Sequence, residues 1–459
     1  MKLFQKSNKK TKVILLGCLG FLFSGILLYP YGTFWDSARA LTYILTLGHA
    51  NVNNWLGWYF PLLWEGLYRI TGIPNIMGTY INLIYWIGIT LLYINVFNIE
   101  KRSLWWYAAF AWFPGTLIFV SNITNNSLMM VTLILGLAFY SVYSNKRKSI
   151  WLILSILIII QCAFIRRESF VIVIPLIFII LLIYFLQRNK KWHAVSFSLV
   201  SSVVFLGCVF GVEKAITSKL ANYEVMDALS ITCLHDMSSS TYITKKMCIP
   251  TSIFRDEYAD GKACYKDIIS IENDQSIFHG DGMFDHIGPY MKIENRYRIR
   301  LNKKEIVDFY THNFTTWLKF RAKFACQYFE NNQHMFYNPT RDNSQILYDP
   351  PTPGVIQCIL SFIVPGMLGS ILVYYYLSLI VLLLDWKKKI NYASKYERYI
   401  IFSLIIMSIF DTVLILFTSI DVQHRYLYPV CILQYLIFIY VLSKLKYREL
   451  GDNLIRLEL

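Results

Sequence analysis

The sequence has few charged residues and lacks several motifs that are common in soluble enzymes. Only 16% of its 459 residues are Asp, Glu, Lys or Arg, against about a quarter in typical soluble domains. It contains no Gly-rich phosphate loop, Gly-x-Ser-x-Gly elbow or zinc-binding cysteine pattern. These absences give no support to an ATP-driven or nucleotide-sugar mechanism in the cytoplasm. Nine cysteines are too few for a disulfide scaffold of this length.

The residues that are abundant are apolar, and they lie in long blocks separated by short basic stretches. Hydrophobic residues make up 56% of the chain, aromatic residues make up 17%, and the net charge is +15. Residues 213–354 contain 17 basic and 18 acidic residues, which leaves 27 basic and 11 acidic residues for the apolar remainder. Because the positive excess accompanies the hydrophobic blocks, it indicates membrane orientation and excludes a nucleic-acid-binding face.

The hydrophobic blocks predict about ten transmembrane helices, since about 20 apolar residues cross the hydrocarbon core. The first block resembles a signal peptide, but no small-residue cleavage site precedes Tyr29, so we interpret it as a retained span. The predicted spans begin near Val13, Met77, Leu104, Leu128, Ile150, Phe170, Ala194, Val355, Tyr399 and Leu427.

Six basic clusters set the predicted orientation. If both termini are cytoplasmic, all six clusters fall on the cytoplasmic side of the membrane, as the positive-inside rule requires. The sequence therefore predicts a multi-pass protein of the cytoplasmic membrane. The clusters lie at residues 6–12, 101–102, 146–148, 188–191, 387–389 and 444–448.

This topology divides the chain into three parts. Residues 1–212 would hold spans one to seven and a first external loop at 31–76, and residues 355–459 would hold spans eight to ten. Residues 213–354 would form an external domain, and residues 121–127 a short polar external loop. The predicted fold is thus an all-α polytopic membrane protein with one large external domain.

Two arginines are predicted on the external side, where the positive-inside rule disfavours them. Arg166 and Arg167 precede Glu168 between spans five and six. Ionisable residues near membrane depth are costly and are therefore candidates for function. A guanidinium matches phosphate geometry, so one interpretation is a lipid-phosphate site. The alternative is an interhelical ion pair with Glu168.

A second ionisable group lies between the last two predicted spans. Asp421, His424 and Arg425 fall on the external side in this topology. Arg425 is a further candidate for phosphate binding, with His424 in support. An interfacial arginine that extends to the headgroups is the alternative.

Two carboxylates in the first external loop are candidates for acid–base chemistry. Asp36 follows span one directly, and Glu65 stands among apolar residues. A carboxylate that faces a phosphate-containing site can act as general base toward an acceptor hydroxyl. Asp36 could instead cap the next helix, a role for which Asp is well suited.

Several short motifs together resemble the GT-C superfamily of membrane glycosyltransferases, in particular bacterial relatives of protein O-mannosyltransferases and of the lipid A aminoarabinose transferase. In that family an acidic residue early in the first external loop is taken as the catalytic base, and it corresponds here to Asp36. The motifs that carry the resemblance are Trp35-Asp36-Ser37, residues 58–64 (Trp-Tyr-Phe-Pro-Leu-Leu-Trp), Arg425-Tyr426-Leu427-Tyr428-Pro429, residues 234–239 (Leu-His-Asp-Met-Ser-Ser) and residues 313–321 (Asn-Phe-Thr-Thr-Trp-Leu-Lys-Phe-Arg).

The resemblance implies a sugar donor linked to polyprenyl phosphate and an envelope glycan, lipid or protein as acceptor. The chain departs from the family pattern in two places. Tyr59 precedes Phe60-Pro61 where relatives carry His-Pro, and the second loop offers Asn122, Asn125 and Asn126 where many members carry another acid. A metal requirement is therefore not implied.

The external domain contains two further groups of potential interest. Its four cysteines at 233, 248, 264 and 326 allow a disulfide or free thiols. The run from His279 to His286 holds four potential ligands, so a divalent cation is conceivable, although a polar surface turn is the more common structure for such a run. No other cofactor is predicted.

The prediction from sequence is a glycosyltransferase that acts at the external face of the membrane. An O-antigen-type polymerase or ligase is the enzymatic alternative, because it too would hold a lipid phosphate with arginines. A lipid-linked-oligosaccharide flippase or other transporter is the alternative of a different class. A transporter should show inverted repeats and broken helices.

Overall fold

The structure is a computed structural model. It describes residues 8–27, 31–33, 35–50, 52–53, 57–97, 103–166, 169–188, 191–220, 223–224, 227–271, 280–292, 299–330, 371–392, 394–419 and 427–445.

Helices account for nearly all regular structure in these residues. Up to residue 217 the elements are α1 (Lys9–Leu27), β1 (Gly32–Thr33), α2 (Trp35–Leu47), β2 (Val52–Asn53), α3 (Tyr59–Thr71), α4 (Ile76–Val96), α5 (Trp105–Ala111), α6 (Pro114–Val120), β3 (Asn122–Ile123), α7 (Asn125–Lys146), α8 (Ser149–Ile165), α9 (Phe170–Leu186) and α10 (Lys191–Thr217). Thereafter they are β4 (Tyr223–Glu224), α11 (Ala228–Thr244), α12 (Lys262–Ile269), α13 (Gly280–Ile287), α14 (Lys303–Glu330), α15 (Ile371–Trp386), α16 (Lys395–Thr418) and α17 (Tyr428–Ser443), with 3₁₀ turns at 251–253, 256–258 and 288–290.

Four of the described helices, α4, α7, α10 and α16, are long and apolar enough to cross a membrane. Four shorter apolar helices, α8, α9, α15 and α17, lie in the same two regions of the chain, 76–217 and 371–443. The all-α prediction is confirmed, and the apolar helices indicate a membrane protein. The figure of ten spans and the orientation remain predictions.

The apolar helices pack into one bundle with a continuous hydrophobic core. Helix α7 contacts both α4 and α8, α9 contacts α10 and α16, and α17 contacts α15 and α16. Gly88 allows α4 and α7 to approach closely, since a Cβ there would lie 3.1 Å from the Leu135 backbone nitrogen. Small residues at such crossings are common in membrane helices because packing drives their association.

The predicted span near Leu104 is not one continuous helix. It consists of α5 and α6, seven residues each, separated at Trp112 and Phe113. Pro114 explains the break, because proline disfavours helical geometry at the residue before it and begins helices well.

The residues at 213–354, called here the inserted segment, contain a second hydrophobic core. Helix α11 lies at its centre and is buried on every side from Ile231 to Thr241. It packs against α12, α13 and α14. This core is distinct from that of the bundle, although Phe320 and Phe324 near the end of α14 belong to the bundle core.

Candidate functional site

Two short parallel strand pairs join loops that are far apart in the sequence. Strand β1 pairs with β3, and β2 pairs with β4. The first pair brings the start of α2 beside the start of α7, and the end of α8 reaches the same place through Arg166. The end of the bundle with β1, β3 and Arg166 is called here the strand end.

Asp36 is the second residue of α2, three positions after Thr33 of β1. Three Cα–Cα steps of 3.8 Å place its Cα within about 11 Å of the Thr33 Cα. Thr33 is in register with Ile123. The backbone therefore brings Asp36 to the strand end, and its side chain lies outside the described part of the structure.

The polar segment 121–127, predicted as a surface loop, is buried and structured. It forms β3 and the first turn of α7, and Asn126 and Ser127 are at most 1% exposed. Thr124 caps α7, since its Oγ1 accepts a hydrogen bond of 3.0 Å from the Ser127 backbone N–H. The Ser127 hydroxyl donates to the Phe119 carbonyl at 2.9 Å. The polar residues of this segment thus stabilise the end of α7.

Arg166 ends α8 in an extended backbone conformation and is 8% exposed. Its Nη1 donates a hydrogen bond to Oδ1 of Asn126. The Ser169 hydroxyl donates to the carbonyls of Cys162 at 2.7 Å and Arg166 at 2.6 Å, which ties the start of α9 to the end of α8. This arrangement fixes a guanidinium at the strand end.

The first loop covers the chain just before Arg166. Gly57 has a φ of +74°, and a Cβ there would lie 2.8 Å from the Ile165 carbonyl oxygen. Only glycine fits such a conformation and approach without strain. The Trp58 ring lies 5.2 Å from the Phe164 ring, measured between centroids. Residues 57–58 therefore rest directly on the end of α8.

Tyr59 begins α3 beside Trp58, with ring centroids 5.7 Å apart. Burial raises the pKa of Tyr59, and the neighbouring Tyr80 adds to the effect. Its hydroxyl therefore stays protonated at neutral pH and is suited to hydrogen bonding rather than to proton abstraction.

Glu65 has a structural role in the first loop. Its Oε1 lies 2.6 Å from Nη2 of Arg69, and its Oε2 accepts a bond of 2.8 Å from the Ala50 backbone N–H. Arg69 also donates to the Gly48 carbonyl at 2.8 Å. Because both carboxylate oxygens are engaged, Glu65 connects α3 to the end of α2 and is poorly placed to act as a base.

Four predicted site residues lie outside the described residues. They are Arg167, Glu168, His424 and Arg425. The alternative of an ion pair between Glu168 and the arginines lies there too.

A shallow, mostly apolar depression lies between α8, α9 and α10. It has room for about one water molecule and is lined by residues of the three helices, among them Ile160, Phe170, Val173 and Phe205. Phe170, at the start of α9, follows Arg166 by four positions in the sequence. The depression is too small to hold a lipid chain, so Arg166 itself is the feature at this end that suits an anionic headgroup.

A second buried arginine joins the inserted segment to the bundle. Nη2 of Arg321 lies 2.7 Å from Oδ1 of Asp236, and both side chains are at most 1% exposed. Oδ2 of Asp236 accepts hydrogen bonds of 3.0 Å from the Tyr310 hydroxyl and from Trp317 Nε1. The carboxylate thus has partners on both oxygens.

The other side of Arg321 reaches the end of α16. Nη1 donates to the Ser419 carbonyl at 2.6 Å and to the Leu416 carbonyl at 3.3 Å. A cation is favourable at a helix C-terminus, where carbonyls lack intrahelical partners. Asp236 and Arg321 lie in the segments 234–239 and 313–321, and sequence reasoning did not predict their pairing. The signal for Arg321 is its position among Trp317, Phe320 and Phe324 at helical spacing.

A further polar group that sequence reasoning missed lies among the last three helices. Asp411 of α16 is 5% exposed, and the neighbouring Thr412 hydrogen-bonds with the Tyr375 hydroxyl of α15. Gln434 of α17 is fully buried. Asp411 stands alone in an apolar run, and that isolation is the signal that identifies it as a candidate for function.

The inserted segment shows no metal cluster among the residues that the structure describes. His286, from the run predicted as a surface turn or cation site, pairs through Nδ1 with Oδ1 of Asp267 at 3.0 Å. His279 lies outside the described residues. The four cysteines of the segment, at 233, 248, 264 and 326, are free thiols.

Comparisons with known proteins identify no relative of the chain. No protein-family model matches the chain, and neither do any curated protein or any solved structure.

Proposed function

We propose that the protein is a membrane glycosyltransferase of the GT-C superfamily, with a sugar donor linked to polyprenyl phosphate. The observation that carries the proposal is Arg166, a buried guanidinium held beside Asn126 at the strand end, to which the backbone of α2 also brings Asp36. The phosphate would bind at Arg166, and the isoprenoid chain would extend into the bilayer. The acceptor would be a glycan, lipid or protein of the cell envelope.

In the proposed reaction, an acceptor hydroxyl attacks the anomeric carbon of the donor sugar. The bond between that carbon and the phosphate oxygen breaks, and the oxygen keeps the electron pair. Asp36 takes the proton of the attacking hydroxyl, and Arg166 stabilises the charge on the leaving phosphate. The β1–β3 pair supports this division of roles, because it brings the backbone of α2 to the end of the bundle that holds Arg166.

The membrane arrangement that we propose has ten spans with both termini in the cytoplasm. The strand end and the inserted segment then face the outside, where a lipid-linked donor presents its sugar. Arg425 and Arg167 would assist Arg166, with Glu168 and His424 in support.

Binding of undecaprenyl phosphate to the purified full-length protein in detergent tests the role of Arg166. We expect the lipid to raise the melting temperature of the wild type but not of Arg166→Ala, with a partial effect in Arg166→Lys. Arg188→Ala is the matched control, because Arg188 is exposed and follows α9 at the opposite end of the bundle. An Arg166→Ala protein that responds like the wild type would contradict the proposal.

Mass spectrometry of envelope glycans and carrier lipids tests the chemistry. A deletion strain and a strain with Asp36→Asn should both lack one sugar and accumulate the carrier-linked donor. Accumulation of complete, unpolymerised repeats would favour a polymerase or ligase. Full activity of Asp36→Asn would exclude Asp36 as the base.

The break between α5 and α6 favours the transporter alternative, because broken helices line the binding sites of many transporters. A transporter would carry intact lipid-linked oligosaccharide across vesicles without forming a glycosidic bond. Purified protein that moves labelled donor across liposomes without transferring its sugar would support it.

A further inference from the structure

One face of α16 is an exposed apolar stripe. Its residues recur at helical spacing, and Phe410 is 63% exposed, so in a membrane this face would contact lipid. The stripe comprises Ile406, Phe410, Val413 and Phe417.

The stripe continues beyond α16 onto the inserted segment. The ring of Phe417 lies 5.6 Å from that of Trp317 on α14, and Trp317 lies 5.5 Å from Phe314. Phe314 and Leu318 are 54% and 42% exposed, and they occupy one face of α14 because they are four residues apart.

Helix α11 adds a third exposed apolar side chain near the same point. Leu229 is 59% exposed and lies one turn before Thr232, whose hydroxyl donates to the Thr418 carbonyl at 3.1 Å. Large apolar side chains from two helices of the inserted segment thus lie around the end of α16.

We propose that Phe314, Leu318 and Leu229 insert into the lipid surface, so that the inserted segment rests on the bilayer. Phospholipid is the partner that fits, because this patch continues the apolar stripe of a helix that is itself long enough to span a membrane. The ion pair of Arg321 and Asp236 holds α14 and α11 together, so that their exposed apolar residues would meet the lipid surface side by side. This inference requires membrane embedding but does not depend on the proposed glycosyl transfer.

Photocrosslinking of the full-length protein in phospholipid nanodiscs tests the proposal. Benzoylphenylalanine is placed at Phe314, at Leu318 and, as the matched control, at Lys323. Lys323 is exposed on the same helix but lies about 140° around it from Leu318, at 100° per residue. Only variants with wild-type elution and melting temperature are compared.

We expect lipid adducts at 314 and 318 about tenfold more often than at 323, because only the apolar face would reach the acyl chains. Equal adduct yields at the three positions, or crosslinks between two copies of the chain, would overturn the proposal. Placement at Leu229 on α11 repeats the test if the α14 variants do not fold.

Discussion

Arg166 and Arg321 are both buried arginines at the ends of apolar helices, but different partners hold them. Arg321 meets the carboxylate of Asp236 and two backbone carbonyls, whereas Arg166 meets the side-chain amide oxygen of Asn126. The Asp236 carboxylate both orients the guanidinium of Arg321 and neutralises its charge. The pair assigns Arg321 to structure, and Arg166 stays the residue that we propose for the anionic ligand.

The largest effect on stability is expected when the Asp236 carboxylate is removed. Asp236→Ala leaves the charge of Arg321 buried without its counterion, which should lower the free energy of unfolding by about 3–5 kcal/mol. The melting temperature of the purified protein in detergent measures the loss.

A double variant shows whether this effect comes from an unpaired charge. Asp236→Leu combined with Arg321→Met removes both charges and should recover most of the stability, since apolar residues often replace a buried ion pair without loss. If Asp236→Ala melts at the same temperature as the wild type, the ion pair does not stabilise the contact between the inserted segment and the bundle.

A smaller effect is expected when a carboxylate is placed beside Arg166, as Asp236 lies beside Arg321. Asn126→Asp places a carboxylate of nearly identical shape against Arg166, where it competes with a phosphate. We expect affinity for undecaprenyl phosphate to fall about tenfold, or about 1.4 kcal/mol, with the melting temperature unchanged or higher. Titration of the lipid against the melting temperature measures both.

Asn145→Asp is the control for that change, because Asn145 is exposed near the opposite end of α7 and bonds to Asn95. Its affinity for the lipid should match the wild type. Tighter binding by Asn126→Asp would show that the charge of Arg166 does not hold the phosphate.

The smallest effect is expected in the first loop. Glu65→Gln weakens the pair with Arg69, whose side chain is 63% exposed, while the Ala50 bond can persist. Exposed pairs contribute about 0–1 kcal/mol, so stability should change by less than 1 kcal/mol. A loss comparable to that of Asp236→Ala would show that the first loop depends on this carboxylate.

Sequence patterns predict the helices of the bundle well because hydrophobic length determines them. The expected starts at Met77, Leu128, Ile150 and Phe170 fall within three residues of the starts of α4, α7, α8 and α9. Pro114 was the visible signal for the break between α5 and α6, which a count of apolar residues ignores.

The pairings between distant segments could not be predicted in this way. Asp236 and Arg321 are 85 positions apart, and nothing in either local sequence specifies the other. The two-residue strands are too short to show the alternation that identifies a strand. At the candidate site, Arg166 stands out by its charge, whereas Asn126 resembles an ordinary helix cap until the fold places it against the guanidinium.

The pairing of β2 with β4 has a consequence for biosynthesis. Asn53 is in register with Glu224, which leaves the ribosome 171 residues later. At a synthesis rate of about 5–20 residues per second, Glu224 is added roughly 10–35 s after Asn53. During this interval several apolar helices are already synthesised while the backbone amides of β2 lack their final acceptors. Completion of the β2–β4 pair is therefore a late event in the synthesis of the chain.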